Sequence, residues 1–159
     1  MAGVREQIEI DAPIEAVWNA VHRDIRAVPR WSKNVTKTEV IGGGPVAMGT
    51  ELRYTTRLPG GLTQDLTLLV KTYDELRRCA GSLEGSVMKG TWSWRYSRKG
   101  EMTVVVYETD VALRGVLRFA GPAVRDQVRR NVRSDLEALK KHVEQGRKRA
   151  STTTKSSTT

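Results

Sequence analysis

Trp92, Trp94 and Tyr96 stand at alternate positions of one segment, and Tyr107 follows on a second segment across a polar turn. Alternate positions of a strand share a face, so these rings, joined by Tyr54 on a neighbouring inward face, make one aromatic surface. Such a surface is either ordinary core or the wall of a cavity. Several Trp and Tyr rings side by side need a large space opposite, and their polar tips seek partners when buried. A cavity with apolar walls and a few hydroxyls meets both needs. The chemistry this predicts is the binding of a small apolar or aromatic ligand. Trp92, Trp94, Tyr96, Tyr107 and Tyr54 are its expected walls, and Trp31 is expected near the entrance. Asn131 and Asp135 border the apolar stripe of the last helix. They either hydrogen-bond a polar group of the ligand or sit solvated at the rim.

Other chemistries lack their signatures. The two histidines, His22 and His142, lie far apart and Cys79 has no second thiol, so no metal-ligand spacing appears and no metal or cofactor is expected. Gly44 to Thr50 has the spacing of a phosphate loop, but no Lys precedes Thr50 and the segment runs into a strand. Neither a nucleophile elbow nor a Ser-His-Asp order occurs. Glu108 and Asp110 share a strand face and could work as a carboxylate pair. If Lys99-Gly100 is a two-residue turn, however, Trp94 opposes Val105, Trp92 opposes Tyr107 and Tyr96 opposes Thr103. That register turns Asp110 toward Lys89 and Glu108 toward Thr91 on the outer face.

The elements that must position these residues follow from periodicity. Val4 to Ile10 alternates as a strand. Asp11-Ala12-Pro13 opens a short first helix carrying Ile14, Val17, Trp18 and Val21, with Pro tolerated in the first turn. Arg26 to Asn34 predicts a second short helix or turn. Strands are expected over 35–41, 50–58, 62–73, 76–83, 87–97 and 102–113, punctuated by Gly42-Gly43-Gly44-Pro45, Pro59-Gly60-Gly61 and other turn signals. Pro122 to Glu144 places Val124, Val128, Val132, Leu136, Leu139 and Val143 on one helical stripe. A short helix in front, a sheet in the middle and a long helix at the end outline an α+β helix-grip architecture, in which a sheet wraps a helix and can leave a cavity between the layers.

At 159 residues the chain is long enough to bury roughly two thirds of its unfolded surface. One ligand-binding domain is expected over 1–146, with a basic, Ser/Thr-rich disordered tail over 147–159. No segment has the apolar length of a membrane span, the start lacks a signal-peptide pattern, and a single Cys suits a reducing compartment, which points to the cytoplasm. The net charge is +9, and from Arg114 onward 12 Lys/Arg face 4 Asp/Glu, a balance of +8. The basicity therefore belongs to the last helix and tail, through Arg125, Arg129, Arg130, Arg133, Lys140, Lys141 and Arg147-Lys148-Arg149. That is either a solvated helix back or a surface for an anionic membrane or polyanion. No aromatics interleave these charges, so sequence-specific nucleic-acid recognition is not expected.

The motif Ile8-x-Ile10-x-Ala12-Pro13-x-x-x-Val17-Trp18-x-x-Val21 resembles the start of the polyketide cyclase/dehydrase group. That group belongs to the superfamily of StAR-related lipid-transfer and birch-pollen-allergen-like proteins, also called SRPBCC. The resemblance continues through Pro29-Arg30-Trp31, Gly49-Thr50 and Gly90-Thr91-Trp92-Ser93-Trp94, and closes with the long helix. It implies a curved seven-stranded antiparallel sheet around a long C-terminal helix, and a cavity for lipids, sterols, polyketides or quinones. It implies binding or transport of such a ligand, or a cyclase/dehydratase activity on a polyketide-like substrate. No residue set here matches a defined catalytic constellation.

Overall fold

The computed structural model describes residues 2–119 and 121–156. β1 (Ala2–Ile10) leads through Pro13, at the N-cap position, into α1 (Ile14–Trp18). A π-helical turn over Asn19–Arg23 and a tight turn over Ile25–Ala27 follow, then α2 (Val28–Trp31), with Pro29 in its first turn. Spacing of three and four buries Val17, Trp18, Val21, Ile25 and Val28 along this stretch.

Six strands follow: β2 (Val35–Val40), β3 (Glu51–Arg57), β4 (Thr63–Asp74), β5 (Arg78–Glu84), β6 (Met88–Lys99) and β7 (Met102–Leu113). With β1 they make one seven-stranded antiparallel sheet in the order β1-β7-β6-β5-β4-β3-β2. Irregularities between Val35 and Lys37 and between Val70 and Thr72 bend it, as an extra residue in one strand does. Two glycines permit close backbone approach between neighbouring strands. A Cβ on Gly81 would lie 1.8 Å from the Leu69 carbonyl oxygen, and one on Gly90 would lie 1.9 Å from that of Asp110.

The aromatic hairpin pairs differently from its predicted register. Lys99 faces Met102, so Gly100 and Glu101 form the turn, and Trp94 opposes Tyr107, Trp92 opposes Thr109 and Tyr96 opposes Val105. Gly100 holds φ +61°, which a two-residue turn with Gly at its first central position requires. Each strand keeps its own alternation, so the rings still share the inner face. The outer-face partners change: Thr91 opposes Asp110, Ser93 opposes Glu108, and Glu108 lies 3.7 Å from Arg5 of β1.

α3 runs from Gly121 to Ser156. Its apolar stripe divides. Leu136, Leu139 and Val143 are buried in the core cluster with Ile10, Val17 and Trp18. Val124, Val128 and Val132 are only half-buried, beneath the open half of the sheet. Polar clamps hold the C-terminal half against the β1–α1 connection. Lys140 Nζ donates to the Glu9 carbonyl at 2.7 Å, the Asp11 N–H donates to Glu144 Oε1 at 2.9 Å, and Arg147 Nη1 donates to Asp11 Oδ1 at 2.7 Å. Over the stretch expected as a tail, the helix continues through Ser156; 157–159 lie outside the described residues. The basic back is also more engaged than expected. Arg129 and Arg133 lie 3.6 and 3.7 Å from the Glu6 carboxylate.

Candidate functional site

The bent sheet and the N-terminal half of α3 enclose a cavity of about 600 Å³. Its floor is the inner face of β3 to β7, where alternation delivers Leu52, Leu66, Leu68, Leu83 and Val111. Its roof is Val124, Val128 and Val132 of α3, and one side is closed by Ile25, Val28 and Trp31. The exposed Arg57, Ala123 and Arg130 also line it, so it reaches solvent between the β3–β4 turn and the start of α3.

The expected aromatic wall assembles here. Trp92, Trp94, Tyr107 and Tyr54 all line the cavity, with Trp94 and Tyr107 ring centroids 4.6 Å apart. The Trp92 indole donates to the Ser82 carbonyl at 2.9 Å. Trp31 is buried in the side wall, its indole donating to the Ala20 carbonyl at 3.2 Å.

Tyr96 does not reach the cavity. It lies one row further toward the β6–β7 turn, where Trp18 fills the space at a centroid distance of 5.2 Å. Alternation fixes the face of a residue but not its depth along the strand. The Tyr96 hydroxyl instead meets His22 Nε2 at 2.7 Å. His22 is the residue that sequence patterns missed: it is buried, it borders the cavity, and its ring packs on Trp18 at 4.4 Å. Its only signal was its place four residues after Trp18, on the inner side of the first helical segment. His142 is exposed.

Asn131 and Asp135 both line the cavity, but their polar atoms are largely held by protein. Asp135 Oδ1 accepts from Ser32 Oγ at 3.0 Å and from the Lys33 N–H at 3.1 Å. Asn131 Oδ1 accepts from Gln127 Nε2 at 2.9 Å, and its carbonyl accepts from Asn34 Nδ2 at 3.2 Å. These bonds pin the α2–β2 connection to α3 and so close one side of the cavity.

Burial sets the electrostatics. It pushes the His22 imidazole down to about 3, so the ring is neutral. It pushes the Cys79 thiol up to about 12 and holds the Tyr54 and Tyr96 hydroxyls well above their ordinary value. Tyr107 rises to about 12, burial outweighing a hydrogen bond with Thr109. Burial also raises Asp135, against the hydrogen bonds from Asn34, Lys33 and Ser32. The wall is thus apolar surface with neutral hydroxyls, suited to an uncharged organic molecule. Among the described residues no three His, Cys, Asp or Glu side chains come together as metal ligands, and no helix is long and apolar enough to cross a membrane.

A family model described as polyketide cyclase / dehydrase and lipid transport matches residues 1–144. A START superfamily protein from Mycobacterium smegmatis is similar in structure, with a TM-score of 0.76 at 21% identity over 90% of this chain and 97% of that one. The protein TTHA0849 from Thermus thermophilus gives a TM-score of 0.77 at 24% identity, covering 91% of this chain and 98% of that one. The protein Ara h 8.0201 gives 0.71 at 14% identity, covering 90% and 97%. These likenesses establish the START-like helix-grip fold. Nothing among curated proteins matches the sequence.

Proposed function

Because the chain belongs to the polyketide cyclase/dehydrase and lipid transport family, we propose that it binds and carries a small hydrophobic ligand in the cavity under α3. The observation that supports this most is the cavity itself, about 600 Å³ beneath the half-buried Val124, Val128 and Val132. Its volume falls within the range of small-molecule sites, and a solid core would have buried that stripe completely. Trp92, Trp94, Tyr107 and Tyr54 are the proposed contact surface, with Trp31 behind the side wall. Asn131 and Asp135 contribute shape more than ligand hydrogen bonds.

The alternative, a cyclase or dehydratase acting on a polyketide-like substrate, needs an inward group that trades a proton near neutral pH. His22, held near 3, is a poor base there. Asp135 is engaged by the α2–β2 connection. Both facts favour the carrier reading. Native mass spectrometry of protein purified from its own host, followed by solvent extraction, is expected to find one apolar molecule per chain. Trp94→Ala is expected to weaken binding of that molecule by tenfold or more, since Trp94 presents a whole ring to it. An empty protein that no hydrophobic ligand stabilises would overturn the proposal.

One feature favours delivery at an anionic membrane. The turns before β4, before β6 and after β7 lie at the same end of the sheet as the cavity opening. There Leu62 is 66% and Phe119 77% exposed, and the Arg118 guanidinium lies 4.8 Å from the Phe119 ring centroid. Apolar side chains beside cations suit a headgroup interface. Co-sedimentation with phosphatidylserine-containing vesicles at low salt is expected, falling several-fold with Leu62→Ser plus Phe119→Ser. Equal binding by that double variant would discard the membrane role.

A further inference from the structure

Most polar groups on the cavity wall are spoken for. The Trp92 and Trp31 indoles and the Thr109 hydroxyl all donate to backbone carbonyls. The inward face of the β3–β4 hairpin is different. Thr56 stands directly opposite Gln64, and Tyr54 precedes Thr56 by two on the same face, so the three side chains are neighbours. All three line the cavity, among Leu58, Leu66 and Leu68.

Gln64 is only 7% exposed, yet its Oε1 has no hydrogen-bond partner. Its Nε2 finds only the Met88 sulfur, at 3.8 Å. The Tyr54 and Thr56 hydroxyls are not hydrogen-bonded among the described residues. Leaving a buried amide oxygen unpaired is costly, and native proteins rarely do so without a reason. The neighbouring turn makes room for this amide: a Cβ on Gly85 would lie 3.2 Å from Gln64 Oε1 and 2.7 Å from Leu66 Cδ2. The terminal amide torsion is soft, so Gln64 can turn its oxygen to a donor in the cavity.

Resting on the carrier reading above, we propose that Gln64, Thr56 and Tyr54 form a polar station for a single hydroxyl on an otherwise apolar ligand, a phenol or an alcohol. The ligand hydroxyl donates to Gln64 Oε1 and accepts from the Thr56 or Tyr54 hydroxyl. A hydroxyl both donates and accepts, which matches this set; an ether or ketone of the same shape only accepts and leaves the amide oxygen unpaired. The three groups carry no formal charge, so the station adds nothing for an ionised head.

The test is a matched pair of probes, 2-naphthol and 2-methoxynaphthalene, titrated calorimetrically into the full chain at pH 7. The naphthol is expected to bind about five- to tenfold more tightly, the range one neutral hydrogen bond supplies. Gln64→Leu and, separately, Gln64→Met are expected to bring the ratio toward one while the ether's affinity holds, because only the amide oxygen tells the two probes apart; Thr56→Val is expected to weaken both probes and leave the ratio. The two Gln64 variants guard against a folding failure in either. Equal affinities in the wild type, or a preference that survives both Gln64 substitutions, would overturn the station and leave the carrier reading standing. If neither probe binds the wild type, the station falls, and the carrier reading is decided by the native mass spectrometry above.

Discussion

Lowering the pH from 6.5 to 4.5 is expected to cost the folded protein about 2–3 kcal/mol through His22 alone. Burial holds this imidazole at about 3 in the native state, whereas an unfolded chain titrates it at 6.5. Between those values the unfolded state binds a proton that the folded state refuses. The contribution is therefore fully present above 6.5 and drains away as the pH falls toward 3. Protonation would also disturb the contact between His22 Nε2 and the Tyr96 hydroxyl and place a cation against Trp18 and Trp94 in a desolvated corner. Asp135 works in the opposite sense. Its raised native pKa means that the folded state takes up a proton first, so its own part of the stability improves on acidification. Urea unfolding of the wild type and His22→Gln at pH 7.0 and 4.5 separates the two, since only the His22 part disappears in the variant. The glutamine retains a hydrogen-bonding group for Tyr96. Parallel pH dependences in the two proteins would mean that His22 is not held neutral.

Gly81→Ala is expected to cost about 3 kcal/mol or more, enough to threaten folding of a domain of ordinary stability. The added methyl would meet the Leu69 carbonyl oxygen at 1.8 Å, and the Trp92 ring carbon Cζ2 at 3.1 Å. A flexible side chain could yield, but a strand carbonyl beside the irregularity between Val70 and Thr72 cannot move without disturbing the ladder. Trp92 also lines the cavity. A chain that survives the substitution is thus expected to lose ligand affinity as well, because Trp92 must shift. Denaturation midpoints measure the first effect and ligand titration the second. A change below 1 kcal/mol would show that the sheet relaxes there more easily than its geometry implies.

The aromatic wall was legible because Trp92, Trp94 and Tyr107 obey a period of two and the strand pattern says which residues share a face. Tyr96 obeys the same period, yet it ends in packed core, because the row it occupies is filled by Trp18 from a helix 78 residues earlier in the chain. Gln64 and His22 left almost no trace. A single polar residue in an apolar run resembles a solvated position until its neighbours across the fold are known. The hairpin register was missed by one residue of turn, since local composition permits either Lys99-Gly100 or Gly100-Glu101, and only the strand pairing, with Lys99 opposite Met102, shows the second.

By itself, then, the sequence determined the order and kind of the elements, the inward faces of the strands and the apolar stripe of the last helix. These follow from periodicity and turn chemistry, which are local properties. It also determined the aromatic character of the inner sheet face, since Trp92, Trp94 and Tyr107 share one side of their strands. Tertiary structure decided where the stripe becomes core and where it becomes roof, since Leu136, Leu139 and Val143 meet Ile10, Val17 and Trp18 while Val124, Val128 and Val132 lie over the cavity. It decided that Asp135 braces the α2–β2 connection while Gln64 keeps an unpaired oxygen, because hydrogen-bond satisfaction depends on residues about 100 positions apart meeting in space. The length of α3 belongs to the same class: a stretch of polar composition stays helical where Arg147 reaches Asp11, a contact that spans 136 residues of chain.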